Sequence, residues 1–346
     1  MLLTFLSDNT TVNIDTLLNS KVSQLKSEYK YIKTFVANWE ADVHTFSFKT
    51  SGSTSSPKNI VLTKDQLTYS ARQTLNHLNL NKGGKSLLCI PPQFMGGTMV
   101  LVRSIINQMD IDIMTPSSTF PQHSYDYDLA SMVPLQLQSI LNTNPNYLNQ
   151  FRHLLIGGAP LNESLEKQLL DLNLSVNIYA TFGMTETASH FAIRKIGETE
   201  YQLLGDIIAS TDTDGCLSIN GTVTNHQLIQ TNDIVSLSTN RFKWIGRRDF
   251  IINTGGFKVS PELVEQSLSK QIAVPFVISS VPDIDYGSKV VLVHEGPYKP
   301  EVDFQEIHPY MRPKQLFQID HLPRTKTDKF DRKAVSTWLL DQSNNV

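Results

Sequence analysis

A loop dense in hydroxyl side chains is the segment of the sequence best suited to chemistry. Residues 49–58 place six serine and threonine hydroxyls around Gly52 and end on Lys58. Hydroxyls and backbone N–H groups donate to phosphate oxygens, glycine lets the backbone approach closely, and lysine adds a mobile positive charge. The loop does not fit the GxxxxGK[ST] spacing of a P-loop. It predicts a phosphate-binding loop, although the same composition is typical of a solvated linker.

The elements around this loop have the pattern of an α/β protein. Short strand-like runs alternate with longer helical patterns through the first two thirds of the chain. Thr63 and Gln66 have capping-box spacing, and apolar residues follow them on one helical face. From Cys216 to Ile245, short strands separated by turn residues predict a β-rich layer. The predicted fold class is therefore α/β, with helix-flanked sheets and a β-rich layer in a large N-terminal domain.

A second, smaller α+β unit is expected after this layer. Its first helix is predicted to begin at Pro261 with Ser260 as the N-cap, and the strand patterns FVISSV and KVVLVHE follow. A chain of 346 residues exceeds what one hydrophobic core usually serves. We therefore predict a large domain over residues 1–247 and a small, mobile domain over residues 248–346.

Composition narrows the kind of partner. A formal net charge of −3 lacks the basic surplus of a nucleic-acid-binding protein, which favours small-molecule substrates. No apolar run is long enough to span a bilayer, and the first residues lack the basic region of a signal peptide. The distant Cys89 and Cys216 cannot build a disulfide framework or a zinc site. We expect a cytoplasmic protein without stable membrane insertion; its oligomeric state stays open, with a homodimer as one option.

Six motifs, taken in order, resemble those of the adenylate-forming superfamily, which includes acyl-CoA synthetases, luciferases and peptide-synthetase adenylation domains. They lie at residues 51–58, 157–160, 182–186, 231–233, 246–259 and 323–329. The resemblance runs from residue 49 to residue 333. It implies an enzyme that uses ATP, Mg²⁺ and coenzyme A to convert an acid into an acyl-adenylate and then a thioester.

The same resemblance assigns roles to individual positions. It implies catalytic roles for Lys329, Thr185 and Glu186, with Glu186 binding the metal. It implies nucleotide- or coenzyme-binding roles for Thr50, Ser51, Gly52, Ser53, Thr54, Lys58, Gly158, Ala159, Pro160, Phe182, Asp233, Arg247, Gly255, Gly256 and Lys258. Asp249 matches the family's hinge position, for which capping of a helix is the ordinary alternative.

Several of these positions have both a chemical and a purely structural interpretation. Glu186 offers a hard oxygen to Mg²⁺, but a first-turn glutamate is also favoured by the helix dipole. Phe182 offers a face to adenine, or is a core aromatic. Asp233 can accept two ribose hydroxyls, and Arg247 presents a planar fork to ribose or phosphate, or forms a surface ion pair. Lys329 supplies a cation where carboxylate and triphosphate repel each other, although a lysine near the chain end is usually solvated.

The sequence also departs from the family pattern. Ser55, Asn232 and Asp328 stand where the family usually has glycine, and asparagine and aspartate tolerate left-handed backbone better than most residues. Met95 stands where the acyl-pocket motif often has histidine. The segment before the phosphate loop is shorter than in typical members, as in a short form with a trimmed N-terminal subdomain.

Two stretches, residues 131–141 and 184–189, resemble o-succinylbenzoate–CoA ligases of menaquinone biosynthesis. That substrate is a dicarboxylate, so its pocket needs a donor or cation for the carboxylate that does not react. Candidates are Arg103, Ser189, His190 and Arg194. Arg103 lies in a predicted helix, where an unpaired buried arginine would be costly without a ligand carboxylate, but a surface arginine fits the helix equally well. His190 is equally well explained as a structural histidine.

Two other functions stay open at this point. An aryl-acid or amino-acid adenylation enzyme would load a carrier protein instead of coenzyme A. The amino-acid version normally holds the substrate amine with an acidic residue, and FMGGTMV and TETASH offer none besides Glu186, which is assigned to the metal. A non-enzymatic adenylate-binding protein is the other alternative, and retention of Glu186, Asp233, Arg247 and Lys329 argues against it. The sequence therefore predicts an AMP-forming acid–thiol ligase.

Overall fold

The computed structural model describes residues 1–20, 27–49, 58–120, 125–298, 300–305, 307–325 and 330–343. Part of the predicted site lies outside the described residues: Thr50, Ser51, Gly52, Ser53, Thr54 and Lys329. The replaced glycine positions Ser55 and Asp328 lie outside them as well.

Strands and helices alternate through the first half of the chain, and strands dominate the second half. The strands are β1 Leu2–Phe5, β2 Thr10–Asn13, β3 Thr45–Lys49, β4 Asn59–Thr63, β5 Lys85–Leu88, β6 Asp110–Ile113, β7 Tyr127–Met132, β8 Phe151–Ile156, β9 Asn177–Met184, β10 Ser189–Lys195, β11 Tyr201–Leu203, β12 Ile208–Thr211, β13 Cys216–Asn220, β14 Ile229–Leu237, β15 Arg241–Arg247, β16 Ile252–Thr254, β17 Phe257–Val259, β18 Phe276–Asp283, β19 Gly287–Glu295 and β20 Gln315–Ile319. The helices are α1 Ile14–Asn19, α2 Ser27–Glu40, α3 Lys64–His77, α4 Met95–Asn107, α5 Pro134–Thr143, α6 Glu163–Asp171, α7 Pro261–Leu268 and α8 Arg332–Ser343.

One sheet of 13 strands contains the strands up to β15 except β3 and β4, which pair with each other. Its order is β12-β13-β14-β15-β11-β10-β9-β8-β7-β5-β6-β1-β2. Neighbours from β1 through β6, β5, β7 and β8 to β9 run parallel, and those from β9 to β12 run antiparallel. The carboxyl ends of the parallel strands meet at one edge, which is where ligands bind in open α/β sheets. The predicted α/β class is confirmed, and the expected β-rich layer is the antiparallel part of the same sheet.

Helix α3 shows how local sequence sets this framework. The Thr63 hydroxyl accepts a hydrogen bond from Gln66 N–H, and the Gln66 side chain accepts one from Thr63 N–H, so the predicted capping box is confirmed. Leu67, Ala71 and Leu75 are buried at helical spacing. Burial of this stripe fixes which face of α3 packs against the rest of the fold.

The chain after β15 forms smaller sheets with their own apolar clusters. β16 and β17 form a hairpin, and β18, β19 and β20 form a three-stranded sheet. Val264 and Leu268 of α7 pack in one cluster with β18 and β19, while Val335 and Leu339 of α8 pack in another. The predicted start of α7 is confirmed, because the Ser260 side chain accepts a hydrogen bond from the backbone in its first turn.

Helix length and cysteine burial are two further features of the described residues. Within the described ranges, no helix is long and apolar enough to cross a membrane. Cys89 and Cys216 are buried free thiols. Burial raises the pKa of Cys89 to about 12, so this thiol stays protonated and unreactive at neutral pH.

Candidate active site

The predicted metal and phosphate ligands follow β9, the last strand of the parallel part of the sheet. Thr185 and Glu186 begin a one-turn 3-10 helix, Thr185–Thr187. The buried Thr187 hydroxyl accepts from Met184 N–H at 3.0 Å and donates to the Ser189 carbonyl at 2.6 Å. These bonds fix the turn. The Glu186 carboxylate is half-buried and has no hydrogen-bond or ion-pair partner among the residues that are described, so it can accept a cation.

Gly183 allows the next strand to approach this turn closely. It lies opposite His190 in the antiparallel pairing of β9 with β10. A Cβ atom at Gly183 would lie 2.1 Å from the Ser189 carbonyl oxygen and 2.4 Å from His190 Cα. Ala188 and Ser189 both adopt positive φ, 49° and 85°, which is strained for residues with side chains. Strained, tightly packed backbone of this kind is typical of functional sites.

Residues 157–160, the motif predicted to bind the nucleotide, form a turn directly after β8, beside β9. Gly157 N–H donates to the last carbonyl of β7, and Gly158 has φ 84°, a conformation that favours glycine. A Cβ atom at Gly157 would meet Thr181 Oγ1 at 2.6 Å. Ala159 is half-buried and Pro160 is exposed. The turn therefore lies next to residues 182–186, the FGMTE motif. Binding of one nucleotide by both segments would require this.

Phe182 lies in an aromatic cluster. Its ring makes T-shaped contacts with the rings of Phe191, Tyr201 and Phe242, at centroid distances of 5.8, 5.4 and 5.1 Å. This packing matches the core-aromatic interpretation of Phe182. Because its side chain is only half-buried, stacking on adenine stays a prediction.

The predicted ribose site is a buried carboxylate linked to the predicted hinge. Asp233 on β14 pairs in register with Arg247 on β15 and accepts a hydrogen bond from Trp244 Nε1 at 3.0 Å. Arg247 Nη2 donates to Asp249 at 2.6 Å, and its Nη1 lies 3.9 Å from Asp233. Burial lowers the pKa of Arg247, but the hydrogen bond to Asp249 and the charge of Asp233 outweigh it, so its pKa is raised. One guanidinium thus contacts both carboxylates.

The two glycines of the motif at residues 246–259 form the turn of the β16–β17 hairpin. Gly255 and Gly256 have φ 54° and 81°, and Gly255 N–H donates to the Tyr286 carbonyl. A Cβ atom at Gly256 would meet no atom within 4 Å. Lys258 is exposed and lies 3.2 Å from Asp214 on the turn between β12 and β13. The turn needs glycine for its backbone, yet it leaves open space beside Gly256.

Arg103 and His190 form a buried pair between α4 and β10. Arg103 is 1% exposed, so the interpretation as a surface arginine is wrong. Its Nη2 lies 3.4 Å from His190 Nδ1, and its Nε has no hydrogen-bond partner in the described part of the chain. Burial lowers the pKa of Arg103 to about 9, which leaves it charged at neutral pH. Burial, followed by the charge of Arg103, holds the pKa of His190 well below its usual range.

Arg194, the other arginine predicted to contact the substrate, is bound to protein groups instead. Its guanidinium forms a two-pronged ion pair with Glu166 and donates to the Glu198 carbonyl. It also lies over the Tyr201 ring at 5.3 Å. Burial lowers its pKa, and the bonds to Glu166 more than compensate. Glu166 thus neutralises the charge of Arg194, whereas no carboxylate contacts Arg103 among the described residues.

Thr74 was not predicted as a site residue, yet its Oγ1 lies 2.9 Å from His190 Nε2. A signal existed in the sequence: Gln66, Ser70 and Thr74 repeat at a spacing of four beside the apolar stripe of α3. All three are buried. A polar stripe on a buried helix face requires partners. Lys58, which was predicted to bind phosphate, is exposed and directly precedes β4.

The chain is similar to a set of ligases in sequence and structure. Residues 5–213 match the profile of the AMP-binding enzyme family. A 2-succinylbenzoate–CoA ligase of Oceanobacillus iheyensis is 24% identical over 84% of this chain and 69% of its own length. A probable 2-succinylbenzoate–CoA ligase of Mycobacterium tuberculosis is 27% identical over 83% of this chain and 82% of its own.

Solved structures give the same picture of the fold. An acyl-CoA synthetase (AMP-forming)/AMP-acid ligase II-like protein from Dyadobacter fermentans has 31% identity and a TM-score of 0.64, covering 95% of this chain and 99% of its own. The O-succinylbenzoate coenzyme A synthetase of Bacillus subtilis, in complex with ATP and magnesium ion, has 21% identity and a TM-score of 0.74. It is covered over 69% of its length, against 84% of this chain.

Proposed function

Because the chain belongs to the AMP-binding enzyme family, we propose that it is an AMP-forming acid–CoA ligase whose acid is o-succinylbenzoate. In the first step the acid carboxylate attacks the α-phosphate of ATP, giving an acyl-adenylate and pyrophosphate. In the second step the thiol of coenzyme A displaces AMP and forms the thioester. The names of the relatives support this acid. The observation that carries it is the buried, charged Arg103.

An isolated buried cation is costly, so it points to an anionic ligand. Among the described residues, no carboxylate contacts the Arg103 guanidinium, and His190 is a neutral partner. An arginine fork matches a carboxylate with two parallel hydrogen bonds, which are among the strongest in proteins. A dicarboxylate therefore offers one group for reaction and one for Arg103. His190 lies on the strand beside the FGMTE motif, as does Ser189. The Arg103–His190 pair is therefore next to the proposed site of reaction.

The proposed metal site uses Glu186 as its protein ligand. Mg²⁺ keeps several waters and is usually held by one or two carboxylates together with substrate phosphates. The Glu186 carboxylate fits this, because it has no hydrogen-bond or ion-pair partner among the described residues. The metal would neutralise charge on the phosphate oxygens. Thr185, one residue earlier, would donate its hydroxyl to the α-phosphate.

The remaining nucleotide contacts are proposed on the motif assignments. Asp233 would accept the ribose hydroxyls, with Arg247 beside it. Adenine would lie between Phe182 and the turn at the end of β8. The phosphates would be bound by Thr50, Ser51, Gly52, Ser53, Thr54 and Lys58, and the turn is formed by Gly158, Ala159 and Pro160.

The two steps need different groups around one carbonyl carbon, so we propose that residues 248–346 form a mobile domain that turns about Asp249. In one orientation Lys329 would neutralise charge during adenylate formation. In the other, Gly255 and Gly256 would line the path of the thiol, with Lys258 nearby. Hinged domains that alternate between two closed states are a common solution to such a conflict.

The test is acid-dependent release of pyrophosphate, measured with and without coenzyme A. The panel is o-succinylbenzoate, benzoate, acetate and a fatty acid. We expect o-succinylbenzoate to give the highest kcat/KM, and coenzyme A to be converted to its thioester. Equal use of benzoate would refute the choice of acid. Adenylate formation without any thioester on coenzyme A would favour a carrier protein as the acceptor.

A further inference from the structure

Among the residues that the structure describes, Arg103 has one hydrogen-bond partner, His190. Its Nη2 lies 3.4 Å from His190 Nδ1, which is its hydrogen-bond partner among the described residues, and its Nε is buried without one. A guanidinium held at one corner keeps most of its N–H groups for another acceptor. The orientation of those groups is set by where the acceptor on His190 lies.

A chain of hydrogen bonds determines which nitrogen of His190 accepts. Thr74 Oγ1 lies 3.1 Å from the Ser70 carbonyl, to which only its hydroxyl can donate. Thr74 Oγ1 must then accept from His190 Nε2, at 2.9 Å. With its proton on Nε2, the neutral ring has its lone pair on Nδ1, facing Arg103. The Ser70 hydroxyl donates in turn to the Ala188 carbonyl at 2.7 Å, tying α3 to the strained turn before β10.

This chain of hydrogen bonds is buried and lies beside the candidate active site. His190 is 5% exposed and Thr74 is fully buried. His190 faces Gly183 of the FGMTE motif across the β9–β10 pairing. A Cβ atom at Gly183 would lie 2.4 Å from His190 Cα, so the two strands are in close contact here. The backbone that carries Glu186 therefore also fixes the histidine that orients Arg103.

We propose that His190 and Thr74 are positioning residues that hold the Arg103 guanidinium for the substrate carboxylate that does not react. This inference rests on the proposed function, because it concerns the same acid. Thr74 selects the tautomer, His190 presents the acceptor, and Arg103 binds the carboxylate. The pair contributes to the preference for a dicarboxylate and not to the chemistry of the adenylate.

The experiment measures a preference for the dicarboxylate. The preference is kcat/KM for o-succinylbenzoate divided by kcat/KM for a monocarboxylate analogue. The analogues 4-oxo-4-phenylbutanoate and 2-butanoylbenzoate each lack one of the two carboxylates, and the assay uses the one that keeps the reacting carboxylate. His190→Asn keeps an amide acceptor near the Nδ1 position. His190→Gln keeps a polar group near Nε2 but loses that acceptor. Thr74→Val removes the hydroxyl with little change in shape, and Thr74→Ser retains it.

We expect His190→Gln and Thr74→Val to lower the preference by roughly tenfold, the scale of one hydrogen bond to a charged group. The KM for ATP and the turnover of the monocarboxylate should stay near wild type. His190→Asn and Thr74→Ser should retain the preference. An unchanged preference in His190→Gln, or an equal loss for all acids in every variant, would overturn the inference. If the His190 variants do not fold, a wild-type preference in Thr74→Val overturns it. A wild-type enzyme without any dicarboxylate preference would instead refute the proposed acid.

Discussion

Replacing Arg103 with methionine should stabilise the protein while weakening its use of the dicarboxylate. Burial lowers the pKa of Arg103 from 12.5 to about 9. At about 1.4 kcal/mol per pKa unit, this corresponds to roughly 5 kcal/mol of unfavourable charge burial. The unfolded chain binds the proton more tightly, so the cost is fully present below pH 9 and falls as the pH rises towards 12.5.

The net gain is smaller, because the replacement leaves a neighbour without its partner. Methionine fills the space of the arginine stem with a flexible apolar chain. His190 Nδ1 then loses its donor, and an unsatisfied buried acceptor costs about 1–3 kcal/mol. The difference is a gain of about 2–4 kcal/mol, in line with replacement of other buried charges by apolar groups. For a chain of this size, the melting temperature should rise by roughly 3–6 °C.

Thermal melting at pH 7 without ligands measures the stability of the Arg103→Met variant. Steady-state kinetics measure its KM for o-succinylbenzoate, which should rise at least tenfold, roughly the loss of one charge-assisted pair. The KM for ATP should stay near wild type. Arg103→Lys is the matched control, since it keeps a buried charge but loses the planar fork. It should show the higher KM without the gain in melting temperature.

The two signs together test the reasoning. Arg103→Met could instead melt several degrees below wild type, as an ordinary core truncation does. In that case the buried charge does not destabilise the protein, and the inference of an anion-binding site is refuted. If it melts higher but uses o-succinylbenzoate as well as wild type does, the buried charge has another role.

Three further outcomes are expected. The KM for o-succinylbenzoate should rise above about pH 9, where the free enzyme loses the charge on Arg103, whereas the KM for a monocarboxylate should not follow; pH profiles of both acids measure this. Gly256→Leu should block thioester formation but not pyrophosphate release, because the site is open, and Gly287→Leu, with φ 73° and equally open space, is the control for backbone strain. Lys329→Ala should lower pyrophosphate release by about a hundredfold or more, yet still convert supplied acyl-adenylate to the thioester when the half-reactions are assayed separately.

Features that depend on near neighbours in the chain could be predicted from the sequence. The capping box at Thr63 and the start of α7 at Ser260 follow from residues three positions apart or fewer, and both are confirmed. Three strands of the parallel region, β5, β8 and β9, coincide with short apolar runs in the sequence. The position of the antiparallel layer does not follow from such runs. It extends the same sheet through pairing of Tyr201 with Phe242, a contact between residues distant in sequence that no local pattern encodes.

Side-chain partners were the least predictable part of the site. Arg103 and Arg194 are both candidates for the substrate carboxylate, since each lies near a motif. The sequence pattern does not indicate the partner of either side chain. The fold brings Glu166 of α6 to Arg194, whereas Arg103 meets only the neutral His190 among the described residues. A helix and a strand far apart in sequence thus decide which arginine has its charge neutralised. Pairing of this kind requires the three-dimensional structure.

Asn232 shows how a departure from the family pattern acquires a physical role. Its tolerance of left-handed backbone does not explain it, because it lies within β14 and its φ is not positive. Its amide donates to Asp249 at 2.9 Å and accepts from Arg248 at 2.8 Å, contacts that glycine could not make. Arg247 joins the same group by contacting both Asp249 and Asp233. In the proposed site, a ribose that donates its hydroxyls to Asp233 would compete with Arg247 for the carboxylate oxygens. Because Arg247 also binds Asp249, that competition would link the nucleotide to the proposed hinge.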